Sequence, residues 1–333
     1  MIAFVLRRVV AMVVVLLVLA AIVFALQEIS PVEPVRVKVG EAASKSVVEA
    51  ERKRLGYDDP LPQRYLDYVE GAAQGNLQTS LRTRQPVASD IGHYLPASIE
   101  LVLAALVIGV PLSLLFGIAG ALRLRGSGVL RTVLFVLAAA PAFLLGIAGI
   151  LIFYRDLHWL PASGRTSIIN PPTGPTGLLV IDGLLRGEPN VTVNSLEHLV
   201  MPAFALALVP AVAVGRVLRG SLMANLRTEQ VRAARARGLS RWRIVSRHGL
   251  RNAAGPTLAM GGLMFGVVFS GLTIVETVFA WPGIGLYVAQ SIPKGDFPAI
   301  GGVTLLVGAA YVIINTTVDL LQGLADPRIR KDL

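Results

Sequence analysis

Apolar residues gather along this chain in long uninterrupted blocks. Neither the three-to-four-residue spacing of a half-buried surface helix nor the alternation of a half-buried strand describes them. Residues 9–26 form an unbroken apolar run, and 101–122 continues with only Pro111 and Ser113 interrupting it. Further blocks occupy 133–154, 199–215, 253–275 and 299–318. A helix needs ~20 such residues to cross ~30 Å of hydrocarbon, so the pattern predicts six membrane-spanning helices. Arg7 and Arg8 ahead of the first block also suit a secretory signal, but signal cores run to ~7–15 residues and end at small residues. This one is longer and leaves through Leu26-Gln27-Glu28, so an uncleaved anchor is expected.

Composition agrees. Of 333 residues, 54% are hydrophobic and 16% charged, which excludes a disordered chain and an ordinary water-soluble enzyme. There is no cysteine, so disulfides and thiolate chemistry are absent. The four histidines (93, 158, 198 and 248) are dispersed over loops and span ends and predict no metal site.

The net charge of +10 is explained by topology, with no nucleic acid required. With the N-terminus in the cytosol, the basic excess falls in cytosolic segments, above all in 219–251, where nine arginines face only Glu229. Both termini are then cytosolic. The organisation expected is an anchor helix with an external region (1–97, partly helical near 41–55), a five-helix core (98–325) and a cytosolic tail (326–333).

Rows of small residues at four-residue spacing predict close helix contacts: Gly109-Ser113-Gly117-Ala121, Ala138-Ala142-Gly146, Ala203-Ala207-Ala211-Gly215 and Gly262-Gly266-Ser270. Pro111, Pro141, Pro202 and Pro210 fall inside or near spans, where each removes a backbone donor and can bend the helix. Glu100, Glu276, Arg216 and Asp319 sit near span ends, so no ionisable group marks a midplane ion site.

The most informative stretch is 219–252. Thr228 is placed to cap a helix running through Arg237, Gly238 to end it in a left-handed turn, and Ser240 to cap a second short helix carrying Trp242, Ile244 and Val245. Ala233, Ala234 and Ala236 leave one face narrow enough to enter a groove. The arginines around them favour an acidic partner or lipid headgroups.

The pattern Arg232-Ala233-Ala234-x-x-x-Gly238 ahead of a late span resembles the "EAA" loop of ATP-binding-cassette importer permeases, with arginine in place of glutamate. The continuation Arg247-His248-Gly-Leu-Arg-Asn252 resembles the dipeptide/oligopeptide/nickel branch. So do Leu55-Gly-Tyr-Asp-Asp-Pro-Leu-Pro62, Gly75-Asn-Leu-Gln-Thr-Ser-Leu81, Trp159-Leu-Pro-Ala-Ser-Gly-Arg165, Val275-Glu-Thr-Val-Phe-Ala-Trp-Pro-Gly-Ile-Gly285, Asp296-Phe-Pro298 and Asp326-Pro-Arg-Ile-Arg330. Two stretches depart from it: Ile29-Ser-Pro-Val-Glu-Pro34, and a long Pro/Gly-rich segment at 166–195.

The resemblance implies an all-α integral membrane protein of the type I importer permease fold, multi-pass in a prokaryotic cytoplasmic membrane. It implies a second homologous permease, two cytosolic ATPases, an extracytoplasmic solute-binding protein and a peptide substrate. Arg232, Ala233, Ala234, Arg235, Arg237, Gly238, Leu239, Arg243 and His248 are then the ATPase-docking residues. None of the five lysines stands in a Gly-x-x-x-x-Gly-Lys-Ser/Thr phosphate loop, so the chain is expected to be no enzyme and to hold no cofactor, with ATP and Mg on the partner subunits. Nickel or another small solute is the alternative substrate within the family. An ion-gradient carrier and a non-transporting scaffold are the alternatives outside it, and neither explains the Ala-Ala…Gly loop.

Overall fold

The computed structural model describes residues 2–29, 35, 39–40, 43–54, 56–172 and 174–325, except for the side chains of 2–5, 241, 248, 324 and 325. The expected tail 326–333 and most of the departure at 29–34 lie outside the described residues. What is described is helical, with one isolated β-bridge between Thr79 and Pro86.

In chain order the helices are α1 (Ile2–Ile29), α2 (Lys45–Arg54), α3 (Leu61–Ala73), α4 (Val87–Leu122), α5 (Ser127–Ala139), α6 (Ala142–Gly149, continuing as a π-helical stretch over Ile150–Asp156) and α7 (Leu179–Leu185). There follow α8 (Pro189–Asn225), α9 (Glu229–Ala236), α10 (Arg241–Ile244, with π-helical Val245–Gly249), α11 (Leu250–Val278), α12 (Ile284–Ser291) and α13 (Phe297–Ala325). Five of them, α1, α4, α8, α11 and α13, are long and apolar enough to cross a membrane unbroken.

The third expected span, 133–154, is not one straight helix. It divides between α5 and α6, whose axes meet at 105°. The cause is local: Pro141 forces the preceding residue out of the helical region, and Ala140 sits at φ −78, ψ 138. Pro111, Pro202 and Pro210 lie inside helices that continue through them. Among the described residues the candidate spans therefore number five, or six if the bent pair counts as one.

The chain divides into two compact units. The first holds the described residues of 96–282 and 311–325, with α8 at its centre: 67% of an apolar 18-residue stretch of α8 is buried, against 11% for α1. Helix α8 packs most extensively on α11, and also on α5, α6 and α7. The small-residue rows of α4 and α8 meet each other. A Cβ on Gly109 would stand 3.5 Å from that of Ala207; on Gly117 it would lie 2.6 Å from Leu218 Cδ2, and on Gly215 2.6 Å from Phe116 and 3.0 Å from the Ser113 carbonyl. Gly262 on α11 faces Asn315 and Val318 of α13 in the same way. The row Ala138-Ala142-Gly146 is interrupted by the break at Pro141: Gly146 closely approaches Val278 and Phe279, while Ala138 packs with the cluster of Phe116, Leu134, Leu208 and Val212.

The second unit holds 2–95 and 283–310. Helix α3 lies along α1: Arg64 pairs with Glu28, the Tyr65 hydroxyl donates to the Leu17 carbonyl at 2.8 Å, and Phe24 packs against the rings of Tyr65 and Tyr68. Gly301 and Gly308 on α13 admit Val23 and Leu19 of α1.

Candidate functional site

The basic hairpin at 226–253 is built by short-range rules. The backbone of Thr228 holds the N-cap position of α9, but its hydroxyl turns back and donates to the Asn225 carbonyl at 2.8 Å instead of accepting a first-turn N–H. The expected side-chain cap is thus absent. At the other end Leu239 N–H reaches Ala234 O (3.2 Å) and Gly238 N–H reaches Arg235 O (2.9 Å), the paired bonds of a Schellman stop. Gly238 has φ +79, and nothing lies within 4 Å of the position its Cβ would take, so backbone conformation alone demands the glycine.

The hairpin has its own apolar core. Val231, Ala234 and Ile244 are buried and pack with Leu226 and Leu239. A second cluster roots it: Val245 and Ala253 pack with Leu218 and Leu222 of α8 and with Ile118, Ala121 and Leu122 of α4. The hairpin is thus joined to the ends of two spans by close-packed side chains.

Of the residues singled out from the sequence, Arg232, Ala233, Arg235, Arg237, Gly238 and Arg243 lie together on the exposed surface. Ala234 and Leu239 instead face the hairpin's own core, so Ala234 is not part of a narrow outer face; Ala233 and Ala236 are. The side chain of His248 lies outside the described residues. Arg232 pairs with Glu229 at 2.8 Å, but both are exposed and the pair adds little stability. Trp242 is exposed among these arginines. The contribution of Val231 to the core is legible only with the fold in hand, although its i, i+3 spacing from Ala234 is a helical signal.

The other motif segments are held by buried polar contacts. In the first unit Glu100 is buried and accepts both Nε and Nη2 of Arg165 (2.9 and 2.5 Å) and Val180 N–H (2.8 Å). Buried Glu276 accepts from the Ser98 hydroxyl at 2.6 Å, and the buried Trp281 indole donates to the Ala97 carbonyl at 2.9 Å. The segment 166–195 is pinned by buried Asp182, which accepts from Thr176 N–H and hydroxyl at 3.2 and 2.7 Å. Burial pushes that carboxyl up, but hydrogen bonds from Thr176 and the backbones of Gly177 and Gly174 outweigh it and hold it below its ordinary value.

In the second unit Asp296 ties Asp296-Phe-Pro298 to Gly75-…-Leu81: its carboxylate accepts from the Ser80 hydroxyl and from the N–H groups of Leu81 and Arg82. The Tyr287 hydroxyl donates to Asp90 at 2.8 Å, and burial, reinforced by that bond, pushes its ionisation well above the usual range.

Comparison with known proteins agrees with this architecture. Residues 109–331 match the family model described as binding-protein-dependent transport system inner membrane component, and 1–105 match the model for its N-terminal region. The di/tripeptide transport system permease protein DppB of Pseudomonas aeruginosa is 40% identical over 312 residues, 92% of each chain. The probable D,D-dipeptide transport system permease protein DdpB of Escherichia coli is 40% identical over 314 residues, again 92% of each chain. The glutathione transport system permease protein GsiC of Salmonella typhimurium is 32% identical over 332 residues, 99% of each chain. With matches that run from one end of the chain to the other and apolar helices in the places the pattern requires, the chain belongs to the binding-protein-dependent inner-membrane permeases of the dipeptide/oligopeptide ATP-binding-cassette importers, as a multi-pass protein of the cytoplasmic membrane.

Proposed function

We propose that this permease moves di- and short oligopeptides inward, and that the hairpin at 226–253 is where cytosolic ATPases take hold of it. The relatives named for di/tripeptides, D,D-dipeptides and glutathione support a peptide over nickel. The observation that carries the coupling role is the construction of the hairpin. An exposed face with Arg235, Arg237 and Arg243 stands on an apolar core that continues into the ends of α4 and α8. An acidic groove on an ATPase is the complementary surface.

In this reading the hairpin and both termini are cytosolic, in line with the arginine excess of 219–251. ATP and Mg are held by two partner ATPases, and this chain contributes no cofactor-binding group. The peptide arrives on an extracytoplasmic binding protein and passes between this chain and a second homologous permease.

The test is Gly238→Val. A left-handed β-branched residue costs ~1–2 kcal/mol, and with open space around Gly238 the penalty falls on the turn and not on packing. The reading expects normal membrane insertion, loss of peptide uptake, and ATP hydrolysis that no longer responds to loaded binding protein. Gly238→Asn, which tolerates the left-handed turn, should retain uptake. Normal transport by the valine variant would refute the coupling role.

A further inference from the structure

Five arginines gather where α4 and α5 join and beside the adjoining part of α8: Arg123, Arg125, Arg131, Arg216 and Arg219. Nothing in the sequence neutralises them locally, because the chain carries no carboxylate from 101 to 155 or from 198 to 228. Three structural details separate this corner from a general scatter of basic residues.

Arg123 occupies the left-handed position that ends α4, with φ +52 and the closing bond from Leu124 N–H to Ala119 O at 3.1 Å. Glycine is the residue of least strain there, so the arginine at this position carries a cost in backbone energy. The Arg219 side chain lies across Gly120, so near that a Cβ on that glycine would stand 2.7 Å from its Cδ; its Nε is buried and has no acceptor among the described residues. The Arg216 guanidinium sits 5.7 Å above the ring of Phe135 on α5. Arg131 is one turn before Phe135 on the same helix face. Arg216 and Arg219 come well before the end of α8 at Asn225, so the carbonyls of that helix terminus are not their counter-charge.

Several guanidinium groups in one corner, with no carboxylate paired to them among the described residues, suit a phosphate, which several N–H donors grip at once. The surroundings indicate what carries it. Val129, Val133 and Val136 expose an apolar stripe along α5, a surface for acyl chains and not for a free ion in water. We propose that the α4–α5–α8 corner binds the phosphate of an anionic phospholipid, with Arg123, Arg216 and Arg219 on the headgroup and the valine face of α5 against the tails. The corner adjoins the apolar root of the hairpin, where Ala121 and Leu122 pack with Val245, but none of its arginines belongs to the set assigned to the ATPases.

The test uses the full-length chain, purified in detergent with its accompanying subunits and delipidated. Phosphatidylglycerol, phosphatidylcholine or inorganic phosphate is then added, and bound lipid is read by native mass spectrometry. Phosphatidylglycerol should be retained in preference to phosphatidylcholine. Arg123→Gly and Arg216→Gln should each lower that retention about fivefold, the effect of one arginine at an anionic surface. Arg123→Gly should at the same time leave lipid-free thermal stability unchanged or raised, because it relieves the left-handed backbone; loss of folding therefore cannot account for the lost lipid. Arg155→Gln, outside the corner, should retain wild-type binding. Equal retention of the two lipids, or undiminished phosphatidylglycerol on both variants, would overturn the proposal. Displacement of the lipid by inorganic phosphate alone would overturn the lipid as the source of the anion.

Discussion

At the scale of single residues, glycines that look alike in the sequence differ in what surrounds them. A Cβ on Gly109 makes ordinary contact with Ala207, whereas one on Gly215 meets the Ser113 carbonyl, which belongs to the backbone and cannot rotate away. Gly109→Ala is therefore expected to leave the melting temperature in detergent unchanged, and Gly215→Ala to destabilise by about 1–3 kcal/mol, the usual cost of overpacking. Equal melting temperatures for the two would show that α4 and α8 do not approach as closely as described. Gly238 is legible from sequence because its demand is local: a helix of known start, a left-handed turn, and an apolar residue after it. Ala234 is not, because whether an alanine faces a partner or its own hairpin depends on Ile244, ten residues on.

Among the elements, the helix break at Pro141 and the segment 166–195 show the same division. The break falls at Ala140-Pro141, yet Pro111, Pro202 and Pro210 lie in helices that continue, so the dipeptide permits the break without dictating it, and the continuous apolar block 133–154 conceals it. The segment 166–195 reads as featureless Pro/Gly-rich chain, yet Asp182 and Glu100 organise it through bonds to Thr176, Arg165 and Val180 that no spacing rule anticipates.

The lowered ionisation of Asp182 gives this loop a pH dependence. Its folded-state value lies below the unfolded one of ~3.9, so the stabilisation is fully present above that pH and is lost as pH falls through the lower, folded-state value. Asp182→Asn should lower backbone hydrogen-exchange protection over 174–186 at neutral pH, and wild-type protection, corrected for the intrinsic pH dependence of exchange, should fall to the variant's level only in acid. Identical exchange in the two proteins at neutral pH would remove the carboxylate from its pinning role.

For the whole molecule, the apolar blocks and the arginine excess carry most of the reading. They give the spans, and they single out one hairpin as the place where charge, exposure and a rooted core coincide. What the sequence hides at this scale is long-range: the bond between Ser80 and Asp296 joins two motif segments far apart in the chain, and it becomes visible only when both are placed.

The most direct measurement is photo-crosslinking in native membranes from position 233, exposed on the hairpin, with position 107, exposed on the middle of α4, as the reference. The account predicts that position 233 crosslinks to an ATPase subunit, with a yield that changes when ATP is bound, and that position 107 crosslinks to no ATPase. Capture of lipid alone at position 233, with and without nucleotide, would contradict it.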